Sequence, residues 1–480
     1  MVYGSTIRDR STGENFGWAG RSYTLSCELV LVVGRPCDPP GCAASANPSL
    51  SCCPTGSHLR CFPWETPMRV IGLDVSRSVA EIAYLENGWL RAGGRVGLRR
   101  DELEHFAAKL KPDDHVVLEA TGNTIAIANV LTGHVGKVIV ANPLQVRLIA
   151  EARVKTDKID AAILAQLYAS GFLPEVWIPD EATQAMRRQV SRRAQNVRQR
   201  TRLKNEIHAV LAAHIIARCP ATDLFGKKGR AWLSLQPLPM DERIGIDQRL
   251  HELDRLAENL QQVERVLAKS AIQDDRLRKL LTITGINTTV AIGLISAIGD
   301  IARFRSPEKL VSYFGLNPSV YQSGLQPAKH GHISKRGRSY ARAMLVEAAW
   351  AAAQTAGPVR AFFIRVRDRR GQQIAAVATA RKLAIIVWHV LTRNESFAWD
   401  RPALTARKTR EPELQAGMPP ARRGSRKGSA AAYNLKSVRD LERAAGEQAE
   451  HAYQRLFSRW KQARPQASAV RAPWPPIRTP

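Results

Sequence analysis

The sequence predicts an α/β protein: a mixed sheet with flanking helices, then a helical coiled-coil arm, then a mostly α-helical second domain with a helix-hairpin-helix. Three observations carry that prediction. Period-two alternation makes three strands between Val70 and Val96, folded around an Asn87-Gly88 turn. Helix and strand patterns then alternate, which describes helices packed on a sheet. From about residue 180 onward, apolar residues instead recur at threes and fours among many arginines.

The first domain, 68–178, opens with Val70-Ile71-Gly72-Leu73-Asp74-Val75, a buried strand that carries an acid. Val79 to Leu85 and Trp89 to Val96 continue it as an antiparallel meander. A helix near Asp101 to Leu110 leads to the strand His115-Val116-Val117-Leu118-Glu119, which ends on a carboxylate just before Thr121-Gly122. A helix over about Asn123 to Leu131 and a strand from Lys137 to Val140 follow, and the strand breaks at Asn142-Pro143. The segment Lys155-Thr156-Asp157-Lys158-Ile159-Asp160-Ala161 then starts a helix running through Ile163, Leu164 and Leu167. Its two acids are three residues apart and project from one face. Such a pair also suits the helix dipole, so the spacing alone does not choose between a site and a helix start.

Counted together, the acids say more. Asp74 sits among Ile and Val, and Glu119 ends a strand of Val and Leu, where a charge needs a partner. Gathered carboxylates repel one another unless a cation neutralises them, and an all-oxygen set suits a hard ion, Mg²⁺ or Mn²⁺. Paired ions of that kind serve phosphodiester attack.

Charge points to the same kind of partner. The chain has 480 residues and a formal charge of +28, long enough for two domains with cores and basic enough for a polyanion, nucleic acid before membrane. Residues 401–480 hold 17 Lys/Arg against 6 Asp/Glu, residues 1–67 hold 5 of each, and 68–400 therefore carry +17. No run of about 18 apolar residues or signal-peptide pattern occurs, so the expectation is a cytoplasmic, nucleoid-associated protein without a membrane span. Six of the seven cysteines (Cys27, Cys37, Cys42, Cys52, Cys53, Cys61) fall in a Pro, Gly and Ser-rich leader over 1–67. Without a Cys-x-x-Cys pair, and with only His58 nearby, they do not spell a zinc module. The leader is expected to be disordered or, with Met68 two residues ahead of the first strand, not translated. The tail over 401–480 is read as basic and largely disordered, with a helix around Ser437 to Gln462.

The arm, 179–272, is built from two helical stretches, one with Met186, Val190, Val197, Leu203, Ile207 and Leu211, the other with Ile246, Leu250, Leu253, Leu260, Val263 and Leu267. The second domain, 273–400, opens on Leu281 to Ala291 around Gly285, a helix-hairpin-helix pattern whose turn amides can hold a phosphate. Gly315-Leu316-Asn317-Pro318, Tyr321-Gln322-Ser323-Gly324 and His332-Ile333-Ser334-Lys335-Arg336-Gly337 follow. A serine before glycine in a polar loop is by itself a turn residue.

These segments resemble the DEDD-type transposases of bacterial insertion sequences, the family numbered one-ten, which includes relatives of the pilin-gene invertase. The matching motifs are Gly72-Leu73-Asp74, Leu118-Glu119-Ala120-Thr121-Gly122, Asn142-Pro143 and Lys155 to Ala161, and the resemblance runs from about Met68 to Trp399. It implies an RNase H-like, RuvC-like first domain with a metal-binding tetrad of Asp74, Glu119, Asp157 and Asp160. It also implies a serine-bearing second domain in which Ser323 attacks DNA and forms a covalent phosphoserine link, with Ser334 and Ser339 as competing candidates. Lys155, Gly285, Lys329, Lys335, Arg336, Arg338 and Arg342 would contact nucleic acid. The family further implies a homo-oligomer, dimer or tetramer, acting on element ends and a target with a structured guide RNA. The rival readings are a junction-resolving nuclease that uses the acids and water alone, and an inactive relative that only binds nucleic acid.

Overall fold

The computed structural model describes residues 69–149, 156–324, 326–419 and 432–463. The chain forms two compact units that meet in sequence between Asp180 and Glu181. The expected leader, Lys155, and parts of the tail lie outside the described residues.

In the first unit, β1 (Val70–Val75), β2 (Val79–Glu86) and β3 (Trp89–Gly97) form the antiparallel meander. Asn87 and Gly88 turn between β2 and β3 with φ of 52° and 80°, the left-handed pair that a two-residue hairpin needs. Then come α1 (Arg100–Ala107), β4 (His115–Glu119), α2 (Thr124–Leu131), β5 (Lys137–Ala141), α3 (Pro143–Ile149), α4 (Asp157–Ala169) and the short β6 (Glu175–Val176). The sheet order is β3-β2-β1-β4-β5-β6, with β1, β4 and β5 parallel and the rest antiparallel. Alternation along each strand divides the core between two faces. Ile71, Leu73, Val116 and Leu118 pack with Leu103 and Phe106 of α1 and Ile127 and Leu131 of α2, while Val70, Val117, Ile139 and Ala141 pack with Leu164 and Ala165 of α4.

The second unit begins with α5 (Glu181–Ala213), α6 (Lys227–Ser234) and α7 (Met240–Ile272). α5 and α7 run antiparallel, since Arg193 bridges Glu264 and, farther along, Glu206 bridges Arg249. Their distal half has its own core with α6 (Ile207, Leu211, Leu233, Ile246), but Val190, Val263, Leu267 and Ala271 belong to the main core of the second unit. The helix pair is thus continuous with the next domain at its base. That domain contains α8 (Asp275–Thr282), α9 (Thr288–Ile298), α10 (Pro307–Tyr313), the hairpin β7 (Pro318–Tyr321) and β8 (Lys329–Ile333), α11 (Ser339–Ala353), α12 (Pro358–Arg370) and α13 (Gln372–Arg393).

Two helices add to the reading of the sequence. α13 is long and apolar enough to cross a membrane by length and composition alone, with Arg381 and Lys382 interrupting its apolar run. It packs inside the second unit's core through Ala380, Leu383, Ala384 and Val387. The tail carries the helix expected around Ser437 to Gln462 and, before it, one that the sequence reading did not mark. α14 (Pro402–Gln415) seats Lys408, whose Nζ donates to the Leu281 and Ile283 carbonyls at 2.9 and 3.3 Å. α15 (Lys436–Ala463) buries Glu450, which accepts from Arg360 Nε at 2.9 Å and the Gly357 amide at 3.3 Å. Specific pairings of this kind are invisible to composition.

Candidate active site

The ends of β1 and β4 form the first part of the site. Leu73 pairs with Leu118 in the parallel ladder, so the next residues, Asp74 and Glu119, fall at one level on neighbouring strands. They share the parity of Val70 and Val117, so both carboxylates leave the sheet on the face that α4 covers. α4 starts with Thr156 as its cap, the hydroxyl accepting from the Ile159 amide at 3.4 Å, and holds Asp157 and Asp160 in its first turn. Gly72 brings this helix close, because a Cβ there would overlap the Ala161 carbonyl oxygen. The four expected acids therefore sit on two adjacent strand ends and on the helix packed against that face.

Among the described residues, no three His, Cys, Asp or Glu side chains converge into a ready-made metal cage. The fit to a divalent ion is one of donor type and placement, carboxylate oxygens suiting a hard cation. Within the same row lies an acid that sequence reasoning missed. Glu81 on β2 stands directly opposite Asp74, is only 4% exposed, and accepts from Arg95 of β3 at 2.7 Å. Glu81, with a smaller pull from Asp157, holds the Arg95 guanidinium above its ordinary value. The available signal was parity, since Val79-Ala80-Glu81-Ile82 puts Glu81 between two core residues.

In the second unit, Ser323 is exposed just beyond β7, in the connection of an exposed hairpin, and its carbonyl accepts from the Gln326 amide at 3.3 Å. The sequence reading had placed this stretch in loops, because polar residues such as Ser319, His330 and His332 carry no strand signal. Lys329 pairs with Tyr321 across the hairpin and is exposed. Lys335, Arg336 and Arg338 lead exposed into α11. Ser334 donates its amide to Asn317, and Ser339 is the first residue of α11.

Two of the expected nucleic-acid contacts also make contacts within the protein. Gly285, at φ 90°, turns α8 into α9 against α11, where a Cβ would overlap the Ala348 carbonyl, and Lys408 takes the carbonyls just before it. The Gly285 Cα thus packs against α11. Arg342 is half-buried and spends a donor on the Phe314 carbonyl at 2.9 Å. Sequence reading also missed a cationic cluster around Tyr313. Arg338 Nε donates to its hydroxyl at 2.9 Å, while Arg187 and Arg303 cap the carbonyls that end α9. Burial by itself raises the Tyr313 phenol, but Arg338, Arg187 and Arg303 together hold it below its usual range.

Comparison with known proteins matches two separate stretches of the chain. A family described as a DEDD transposase matches residues 71–216, and the family described as "Transposase IS116/IS110/IS902 family" matches 277–363. The chain is 28% identical over 354 residues to a "Probable family 20 transposase" of Pseudomonas aeruginosa, covering 68% of this chain and 98% of the relative. It is 24% identical over 342 residues to the transposase for insertion sequence element IS1111A of Coxiella burnetii, covering 69% and 91%. It is 27% identical over 294 residues to the pilin gene-inverting protein of Moraxella bovis, covering 59% and 81%. A mixed sheet bearing acids at its strand ends, joined to a helical region, is here the framework of a DNA transposase, an enzyme of DNA recombination. More narrowly, residues 71–216 and 277–363 are similar to the transposases of the IS110 group of insertion sequences, the family that the chain's motifs resemble.

Proposed function

We propose that this transposase cuts and rejoins the ends of an insertion sequence with Asp74, Glu119, Asp157 and Asp160 as its metal-binding acids and Ser323 as its nucleophile. The observation that carries this reading is the in-register placement of Asp74 and Glu119 beneath the helix whose first turn holds Asp157 and Asp160. The strand order β3-β2-β1-β4-β5 supports an RNase H-like, RuvC-like first domain. When bound by these acids, Mg²⁺ or Mn²⁺ would supply charge stabilisation at the attacking and leaving oxygens.

Ser323 Oγ attacks a backbone phosphorus, the bond to one strand's oxygen breaks, and that oxygen leaves as a hydroxyl carrying the proton the serine gives up. The phosphoserine link keeps the energy of the broken bond, so a hydroxyl from another strand can reverse the step and rejoin DNA without a nucleotide. Lys329, Lys335, Arg336 and Arg338, exposed near the hairpin and at the start of α11, grip backbone phosphates, and Lys155 joins them from its motif. The protein acts at the nucleoid as a homo-oligomer, with a structured guide RNA supplying sequence selectivity through base pairing.

Incubating the protein with element-end DNA and a divalent ion, then denaturing, tests the nucleophile. We expect a covalent protein–DNA adduct that Ser323→Ala abolishes and Asp157→Asn strongly reduces. Cleavage unaffected by Ser323→Ala would replace this reading with a nuclease that uses the acids and water.

A further inference from the structure

At the level of Asp74 the sheet carries one continuous ionic row. Arg95 on β3 stands opposite Glu81 on β2, Glu81 stands opposite Asp74 on β1, and Glu119 follows at the same level on β4. Ala80, Ile82 and Val96, the chain neighbours of Glu81 and Arg95, pack on the opposite face with α1 and α2. The whole row therefore shares the face of Gly72, where α4 makes its close approach. Glu81 is buried with the Arg95 guanidinium as its ion-pair partner among the described residues, while most of the Arg95 side chain remains exposed, at 68%.

A buried carboxylate beside a second carboxylate is costly, and an apolar residue would fill the position more cheaply unless the charge has a use. We propose that the Glu81–Arg95 pair positions and tunes the acidic site: Glu81 adds negative potential beside Asp74, and Arg95 is an internal cation that opposes a divalent ion at these acids. The proposal rests on the reading of Asp74, Glu119, Asp157 and Asp160 as the metal site. Glu81 itself is a positioning residue, because its carboxylate is engaged by Arg95. Arg95 also lies within electrostatic reach of Asp157 in the first turn of α4.

Electrostatics then demands opposite signs from the two halves of the pair. Glu81→Gln leaves Arg95 uncompensated beside the acids and weakens Mn²⁺ binding. Arg95→Gln leaves Glu81 uncompensated and tightens it, each change being about three- to tenfold for one charge acting on a divalent ion across partly solvated protein. The double variant Glu81→Gln/Arg95→Gln restores neutrality and returns close to the parent value. The measurement is Mn²⁺ titration of the full chain without DNA, following free Mn²⁺ by electron paramagnetic resonance and the melting midpoint in parallel.

If Arg95→Gln does not fold, Arg95→Lys and the double variant still decide the matter: the first stays near the parent affinity and the second within about twofold of it. Shifts of the same sign in both single variants, or no shift in either, would overturn the proposal and leave the pair a structural bridge. Failure of the underlying reading looks different, because the parent protein would then bind no Mn²⁺ that Asp74→Asn removes.

Discussion

Single residues decide how closely the parts of the site approach. Gly72 is the clearest case, since any side chain there meets the Ala161 backbone rather than a movable side chain. Gly72→Ala is expected to cost the first unit about 1–3 kcal/mol in chemical denaturation and to lower Mn²⁺ affinity, because α4 must move away from β1. Such a role was legible only in part. The sequence placed Asp74, Glu119, Asp157 and Asp160 on the right elements, because a charge within an apolar strand and a pair in a first helical turn are local signals. Tyr313 and Arg187 were not legible, because their meeting depends on helices more than a hundred residues apart in sequence. The packing of Arg342 on Phe314 and of Gly285 against α11 was not legible either, because a basic or glycine-containing turn looks the same whether it faces solvent or another helix.

At the scale of elements, the β2–β3 hairpin shows how one residue changes the outcome. The Asn87-Gly88 turn sets the pairs Glu86 with Trp89 through Ala83 with Ala92, and continuing that register would put Gly94 opposite Glu81. An irregularity between Ile82 and Ala83 shifts the ladder by one, so Arg95 meets Glu81. Turn chemistry predicts the hairpin, but a bulge within Gly93-Gly94 has too weak a signal to fix the pairing beyond it. The contact of α14 with α8 carries its own prediction. Burial lowers Lys408 to about 8 from its ordinary 10.5. Between those values the unfolded chain binds more protons than the folded one, so stability rises with pH across that window, by at most about 3 kcal/mol. Melting curves from pH 8 to 10 should show that rise, and Lys408→Met should flatten it.

For the whole molecule, the C-terminal helices alter what counts as the enzyme. Composition assigned residues beyond 400 to a basic tail, and the basic charge is present, but Glu450 and Lys408 attach α15 and α14 to the second unit. Glu450→Ala should lower that unit's stability by about 2 kcal/mol, between the values for exposed and fully buried pairs. A chain ended at Asp400 should melt lower still and aggregate, as measured by light scattering on heating, because Leu281 and Ile283 lose their covering helix. Chains leave the ribosome from the amino end, and domains fold as units when their last contributing segment emerges. The sheet bearing the acids can fold early, while the second unit waits for α14 and α15 to join it. A nascent chain would then complete its acid-bearing sheet before its helical unit, and termination ahead of α14 would leave that unit without the Lys408 and Glu450 contacts.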